Sequence, residues 1–174
     1  MRDVPVLTTE RLRLRGHRRD DFDALAALWG EPEAVRYITG KPSTPAESWA
    51  RLMNYAGHWA LQGFGFWLVE EIGSGRYLGD VGIADFKRGL GPHFDGTPES
   101  GWVLAPWCHG KGYATEAVRA GLAWGEAAIG LERCVCMIAP EHAASLRVAE
   151  KCGFRQFAEA EFKGSPVLLL ERLG

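Results

Sequence analysis

Hydrophobic and polar positions change their period several times along this chain, and each change marks an element. In "ERLRLRGH", Leu12 and Leu14 alternate with Arg11, Arg13 and Arg15. A period of two with one basic face predicts a strand solvated on one side. Asp20 and Asp21 then lead into "FDALAALWG", which reads as a short helix ended by Gly30. Thr44-Pro45-Ala46-Glu47 carries a cap residue, a proline at the first helical position and a Glu three residues on. That capping box starts a helix running to about Gln62, where Gly63 stops it.

From Phe64 the period returns to that of strands. "FGFWLVEE" (Phe64 to Glu71) and "RYLGDVGIADF" (Arg76 to Phe86) flank Gly73-Ser74-Gly75, a hairpin turn signal. Lys87 to Pro98 has no period and reads as a loop, and "ESGWVLAP" is a strand broken by Pro106. From Tyr113 to Ile129, small and apolar residues at Ala114, Ala117, Val118, Gly121, Leu122, Gly125, Ala128 and Ile129 form a one-sided stripe. This predicts a helix able to lie close on a sheet. "RCVCMIA" reads as a buried strand, "HAASLRVAEKC" as a helix ended by Gly153, and Phe154 to Phe162 and Val167 to Arg172 as closing strands. The sum is one α+β domain spanning residues 1–174, with no linker or repeat.

Composition narrows the function classes. The 174 residues are 47% hydrophobic and 24% charged, typical of a globular domain with its own core. A net charge of -2 gives no concentrated basic face for nucleic acid. No apolar run approaches the ~20 residues that span a bilayer, so no membrane partner is expected. Met1 to Glu10 lacks the apolar stretch of a secretory signal, and the expected location is cytoplasmic. The four cysteines have no paired zinc-ligand spacing and read as reduced thiols, with no metal expected. Of Cys134 and Cys136, one is expected to face the core and the other not.

The most ligand-like feature is "PWCHGKGYATEA", residues Pro106 to Ala117. A helix N-terminus presents unpaired N–H groups and about half a positive charge, so anions settle there. Gly110, Gly112 and Ala114 give a bulky phosphate clearance, and His109 and Lys111 add donors or charge. A Walker loop is excluded because Lys111 precedes Gly112 and no Ser or Thr follows a GK pair. The dinucleotide fingerprint lacks its third glycine, since Thr115 stands there. On the glycines alone, a phosphate cradle and a plain turn both remain open.

The surrounding residues resemble the GNAT superfamily of acyl-CoA-dependent N-acetyltransferases. Its [Q/R]-x-x-G-x-[G/A] signature is matched from His109 to Ala114 except at the first position. The closer resemblance is to the RimJ/RimL-type branch, which acetylates ribosomal-protein N-termini. It rests on Thr9-Glu10-Arg11-Leu12-Arg13-Leu14-Arg15, on Glu99-Ser100-Gly101-Trp102-Val103-Leu104, and on Gly112 to Ala117. His142, Ser145 and Glu150-Lys151-Cys152-Gly153-Phe154 complete it. The resemblance implies a GNAT fold: a mixed, mostly antiparallel twisted sheet of about six or seven strands flanked by about four helices. It also implies acetyl-CoA as cosubstrate and a primary amine as acceptor, with direct transfer. Two residues depart from the pattern: His109 replaces Gln or Arg, and His142 replaces the Asn that holds the pantetheine arm. The tyrosine many members use as general acid falls at Ala149, which carries no proton.

Acetyl transfer needs a neutral amine, donors for the developing oxyanion, and stabilisation of the leaving thiolate. Glu99 is the expected base and Ser145 the expected donor to the leaving sulfur or the cofactor arm. The resemblance assigns cofactor binding to the Val103 and Leu104 backbone, to His109, Gly110, Lys111, Gly112, Tyr113, Ala114 and Thr115, and to His142 and Ser145. A catalytically impaired acyl-CoA-binding module is the alternative that His142 and Ala149 suggest. The early helices and the Lys87 to Pro98 loop, with His93 and Phe94, are expected to wall the amine site. Trp29, Tyr37, Trp49, Trp59, Phe64, Phe66 and Trp67 concentrate near these segments, though most of these aromatics read as core. A monomer and a homodimer are both compatible with the sequence.

Overall fold

A computed structural model describes residues 3–174; Met1 and Arg2, at the head of the N-terminal segment read above, lie outside the described residues. Eight strands form one sheet in the order β1-β2-β3-β4-β5-β6-β8-β7. They are β1 (Leu7–Thr8), β2 (Leu12–Arg15), β3 (Phe66–Glu71), β4 (Tyr77–Ala84), β5 (Glu99–Leu104), β6 (Arg133–Ile138), β7 (Arg155–Phe162) and β8 (Ser165–Leu173). Five α-helices are interspersed: α1 (Phe22–Trp29), α2 (Pro32–Val35), α3 (Pro45–Gln62), α4 (Tyr113–Ile129) and α5 (Ala143–Lys151). The sheet is mixed and mostly antiparallel, and the α+β expectation holds. The one-turn α2 and the two-residue β1 are the elements that periodicity missed, because neither is long enough to show a period.

The expected caps form. Thr44 accepts from the Glu47 amide, and the Glu47 carboxylate reaches back to the Thr44 N–H at 2.7 Å. Helix α3 ends at Gly63, which adopts φ 78°. Gly73 and Gly75 take positive φ in the β3–β4 hairpin. Leu12 and Leu14 are fully buried, while Arg13 is exposed. Arg15 is not simply solvated: it bridges Asp21 and Glu70 at 2.8 and 2.7 Å.

Two layers cover the sheet. Against α4 packs the larger core, including Trp67, Val81, Ile83, Val118, Leu122, Cys134 and Cys136. Against α1–α3 packs a second core with Leu25, Trp29, Leu52, Tyr55, Phe66, Ala84 and Val103. Close approach of α4 depends on Gly121, where an added Cβ would come within 3.3 Å of the Trp67 ring. Cys134 and Cys136 are both 1% exposed, correcting the expectation that they part company. Residues two apart share a face of a strand, and here that face is the core. Phe94 is also core, 2% exposed among Val135, Val167 and Leu169, so it does not wall an amine site, whereas His93 is exposed.

The sheet has one discontinuity. Every other neighbouring pair of long strands shares between four and seven register positions, but parallel β5 and β6 share only Glu99↔Val135. Beyond that pair the two strands share no ladder position, which leaves a gap between them on the side of Leu104 and Ile138. The turn into α4 sits at the end of this gap.

Candidate active site

The turn is shaped by backbone conformation. Gly110 and Gly112 adopt φ 75° and 81°, a region that costs an L-residue about 1–2 kcal/mol. Neither glycine is required by crowding, since an added Cβ would meet nothing within 4 Å at Gly110 and only Arg11 Nη2 at 3.5 Å at Gly112. Gly112 is the N-cap of α4 and offers no side-chain cap, so the first-turn amides of Tyr113, Ala114 and Thr115 have no side-chain acceptor. They open onto a cavity of about 190 Å³ lined by Trp102, Val103, Leu104, His109, His142 and Ser145, among others. A cluster of amides at a positive helix end is suited to a diphosphate.

A latch fixes this turn to the opposite end of the sequence. Glu116, in the first turn of α4, accepts from Thr9 Oγ1 at 2.6 Å, from the Arg11 amide at 3.0 Å and from Arg11 Nε at 2.7 Å. Arg11 Nη1 also donates to the Lys111 carbonyl at 2.8 Å, and its guanidinium lies 4.4 Å from the Tyr113 ring centroid. Burial works to raise the Glu116 pKa, but the bonds from Thr9 and Arg11 outweigh it and hold the group below its ordinary value. Two motifs more than 100 residues apart are thus one physical unit.

Strand β5 presents different chemistry on its two faces. Asp80 faces Val103 and Ala84 faces Glu99 across the β4 ladder, and Val103 belongs to the α1–α3 core. Alternation therefore turns Glu99, Gly101 and Val103 toward α1–α3, and Trp102 and Leu104 toward α4 and α5. The Ala105 amide donates to Leu78 at 2.8 Å, so by the same alternation the Leu104 amide faces the gap and the Val103 amide faces β4. The Leu104 carbonyl accepts from His109 Nε2 at 2.8 Å, which fixes the proton on that nitrogen.

On the cavity side, Trp102 Nε1 donates to Ser145 Oγ at 3.2 Å, and Ser145 Oγ lies 3.2 Å from His142 Nε2. The His142 ring stacks on Tyr37 with centroids 4.9 Å apart. Burial, aided by nearby His109, lowers the His142 pKa and favours neutral imidazole. On the other face, Glu99 is 5% exposed and held by Arg88 through two bonds of 2.9 and 2.8 Å. Burial raises the Glu99 pKa against the pull of Arg88. Glu99 does not line the cavity that holds Ser145.

Residues 11–155 match the family model described as an acetyltransferase (GNAT) domain. The chain belongs to the GNAT acetyltransferase family. It is 30% identical over 150 residues to the uncharacterized N-acetyltransferase YnaD of Bacillus subtilis (strain 168), covering 86% of this chain and 82% of that protein. A solved chain from Bordetella pertussis, assigned to the GnaT family of acetyltransferases, superposes with a TM-score of 0.87 at 35% identity, covering 97% and 99% of the two chains. The spermidine N-acetyltransferase of Vibrio cholerae, solved with CoA and spermine, shares the fold at a TM-score of 0.75 and 20% identity, covering 95% and 96%.

As a GNAT acetyltransferase the protein is an acyltransferase, and the family uses acetyl-CoA. Among the described residues, no group of three or more His, Cys, Asp and Glu side chains could hold a metal ion, and no helix is long and apolar enough to cross a membrane. Of the expected site residues, the cavity brings together Leu104, His109, Gly110, Gly112, Tyr113, Ala114, Thr115, His142 and Ser145. Val103 borders it, but the Val103 amide is turned to β4 and is not the cofactor partner expected of it. Lys111 lies outside that lining, exposed, with its ammonium 5.7 Å from the Trp107 ring centroid. Cys108 is buried, with its thiol pushed up to about 11 chiefly by desolvation, which leaves it unreactive. Sequence reasoning gave no role to Arg88, Trp102 or the Arg11–Glu116 pair, and it placed Tyr37 among aromatics near the amine site rather than against the His142 ring. Only Trp102 had a signal, its place in the strand motif before the loop; the others depend on contacts across the fold.

Proposed function

We propose that this GNAT enzyme transfers an acetyl group from acetyl-CoA directly to a primary amine, with an N-terminal α-amine of the RimJ/RimL type or a small amine as acceptor. The observation that carries this reading is the uncapped, glycine-shaped start of α4 at the mouth of the β5–β6 gap. In the reading, the amides of Gly110 to Thr115 hold the diphosphate of CoA. The pantetheine arm follows the gap along β5, with the Leu104 amide as its backbone partner. The bound cosubstrate supplies the acetyl group as a thioester, and the protein supplies orientation and charge stabilisation.

Glu99 acts as the base, at the vertex of the gap. Its carboxylate takes the proton of the incoming amine, directly or through water, once Arg88 yields one of its two bonds. Desolvation supports the role, because a carboxyl with a raised pKa is a better proton acceptor near neutrality. Ser145, on the opposite face of β5, serves the departing sulfur. An α-amine with pKa near 8 suits this modest base better than a lysine amine near ~10. The cytoplasm, where acetyl-CoA is available, is the expected location.

The test has two arms. CoA should raise the melting temperature, as any ligand of the native state does. A panel of peptides and small amines should then release free thiol from acetyl-CoA, with Glu99→Gln lowering kcat by ~100-fold. Stabilisation without thiol release from any amine would mark a binding module instead.

A further inference from the structure

We infer that His142 is the residue that aims the Ser145 hydroxyl into the cavity and so prepares it as the donor for the leaving sulfur. The inference rests on the acetyltransferase reading above and concerns how this chain completes the site. A hydroxyl has one proton and two lone pairs. Trp102 Nε1 is a donor only, and at 3.2 Å it fills one Ser145 lone pair. His142 Nε2, also at 3.2 Å, decides the rest. If Nε2 carries the imidazole proton, it fills the second lone pair, and the hydroxyl hydrogen is left to point at neither neighbour. The direction that remains is the cavity that Ser145, His142 and Trp102 all line. If the proton sits on Nδ1, Ser145 spends its hydrogen on the ring and nothing is offered to the sulfur.

The surroundings hold the ring in place for this task. His142 is the N-cap residue of α5 and Ser145 lies three positions on, so the helix itself sets their separation. The Tyr37 ring, from the segment after α2, stacks on the imidazole at 4.9 Å. Ala149 is fully buried and contributes no donor. In the step served, the amine nitrogen forms its bond to the acetyl carbon and the C–S bond breaks, its electron pair leaving on sulfur. That sulfur accepts the Ser145 hydrogen bond and departs as thiolate, taking its proton from solvent, while the amine's proton leaves through Glu99. His142 gains and loses nothing; it is a positioning residue.

The tautomer is measured first, by long-range proton–nitrogen correlation NMR on the protein with and without CoA. The expected result is a neutral ring protonated at Nε2 at pH 7 in both; protonation at Nδ1 in the CoA-bound protein overturns the inference. This readout does not depend on catalysis, so an enzyme inactive toward every amine refutes the function reading without deciding this one. The second measurement is kinetic. His142→Phe keeps the stack on Tyr37 and removes the donor, and it should lower kcat by ~100-fold, the lower end of the scale for one lost donor to developing charge. KM for acetyl-CoA should stay within about threefold. Ser145→Ala should match it, the double variant should be no worse than Ser145→Ala alone, and His142→Gln should recover part of the loss. A His142→Phe enzyme with unchanged kcat, or a double variant whose losses multiply, overturns the inference.

Discussion

The two faces of β5 are built on different principles. On the α4 and α5 face, binding groups are main-chain amides, set by two positive-φ glycines and fixed by the Arg11–Glu116 latch. On the α1–α3 face, the polar groups are side chains: buried Glu99, the proposed base, gripped by Arg88, with Arg88 lying 4.3 Å from the Phe86 ring centroid. A main-chain site holds one ligand whatever the neighbouring side chains, whereas a side-chain site can be retuned residue by residue. Under the proposed function, this difference would let one fold keep one cosubstrate and admit different acceptors.

Breaking the main-chain face should give the largest effect. Gly112→Val forces a β-branched residue into the left-handed region and moves the first-turn amides. Losing two charge-assisted bonds of ~2 kcal/mol each corresponds to ~1000-fold weaker CoA binding, read by calorimetry, with the fold retained by circular dichroism.

Next in size is the side-chain face. Arg88→Met leaves Glu99 buried without its partner, at a cost on the order of 3 kcal/mol at neutral pH. Burial already raises the Glu99 pKa, and removing Arg88 raises it further. A group whose pKa is higher folded than unfolded keeps its proton longer in the native state. Stability of the variant should therefore be best at acidic pH and fall as pH rises from the ordinary carboxylate value through the raised one. Denaturant melts across pH measure this, and a flat difference from wild type would detach Glu99 from the face.

The latch should cost less. Glu116→Gln weakens the bonds to Thr9 and Arg11, worth about 1 kcal/mol for a group that stays partly solvated. Here the sign reverses: the Glu116 pKa is depressed in the folded state, so its contribution is present above the ordinary carboxylate value and lost as pH falls through the depressed one. The wild-type advantage over Glu116→Gln should thus vanish in acid. The smallest effect is expected from Cys108→Ser, which should leave kcat within about twofold, since a thiol held near 11 takes no part at neutral pH.

The same division decides what the sequence could tell. The main-chain face was legible because its requirements are local: glycines where φ is positive, and a small-residue stripe such as Gly121 against Trp67. The motif at Thr9 to Arg15 was visible as a pattern, but its purpose was not, because Glu116 meets it only after folding. The side-chain face was read least well. Phe94 has the composition of an exposed aromatic in a glycine-rich loop, yet the loop tucks it against Val135 and Leu169. Arg88 gave no signal, since a charge in a loop reads as solvated until its partner Glu99 is found buried eleven residues on. Cys134 and Cys136 were misread through a simple periodicity error that the strand geometry corrects.

The most direct measurement is an amide NMR titration with CoA, run beside pantetheine, which lacks the diphosphate. The account predicts the largest shifts at the amides of Gly110, Gly112, Tyr113, Ala114 and Thr115 with CoA only, and shifts at the Trp102 indole with both ligands. Amide shifts at the start of α4 that are absent with CoA, or equally large with pantetheine, would contradict it.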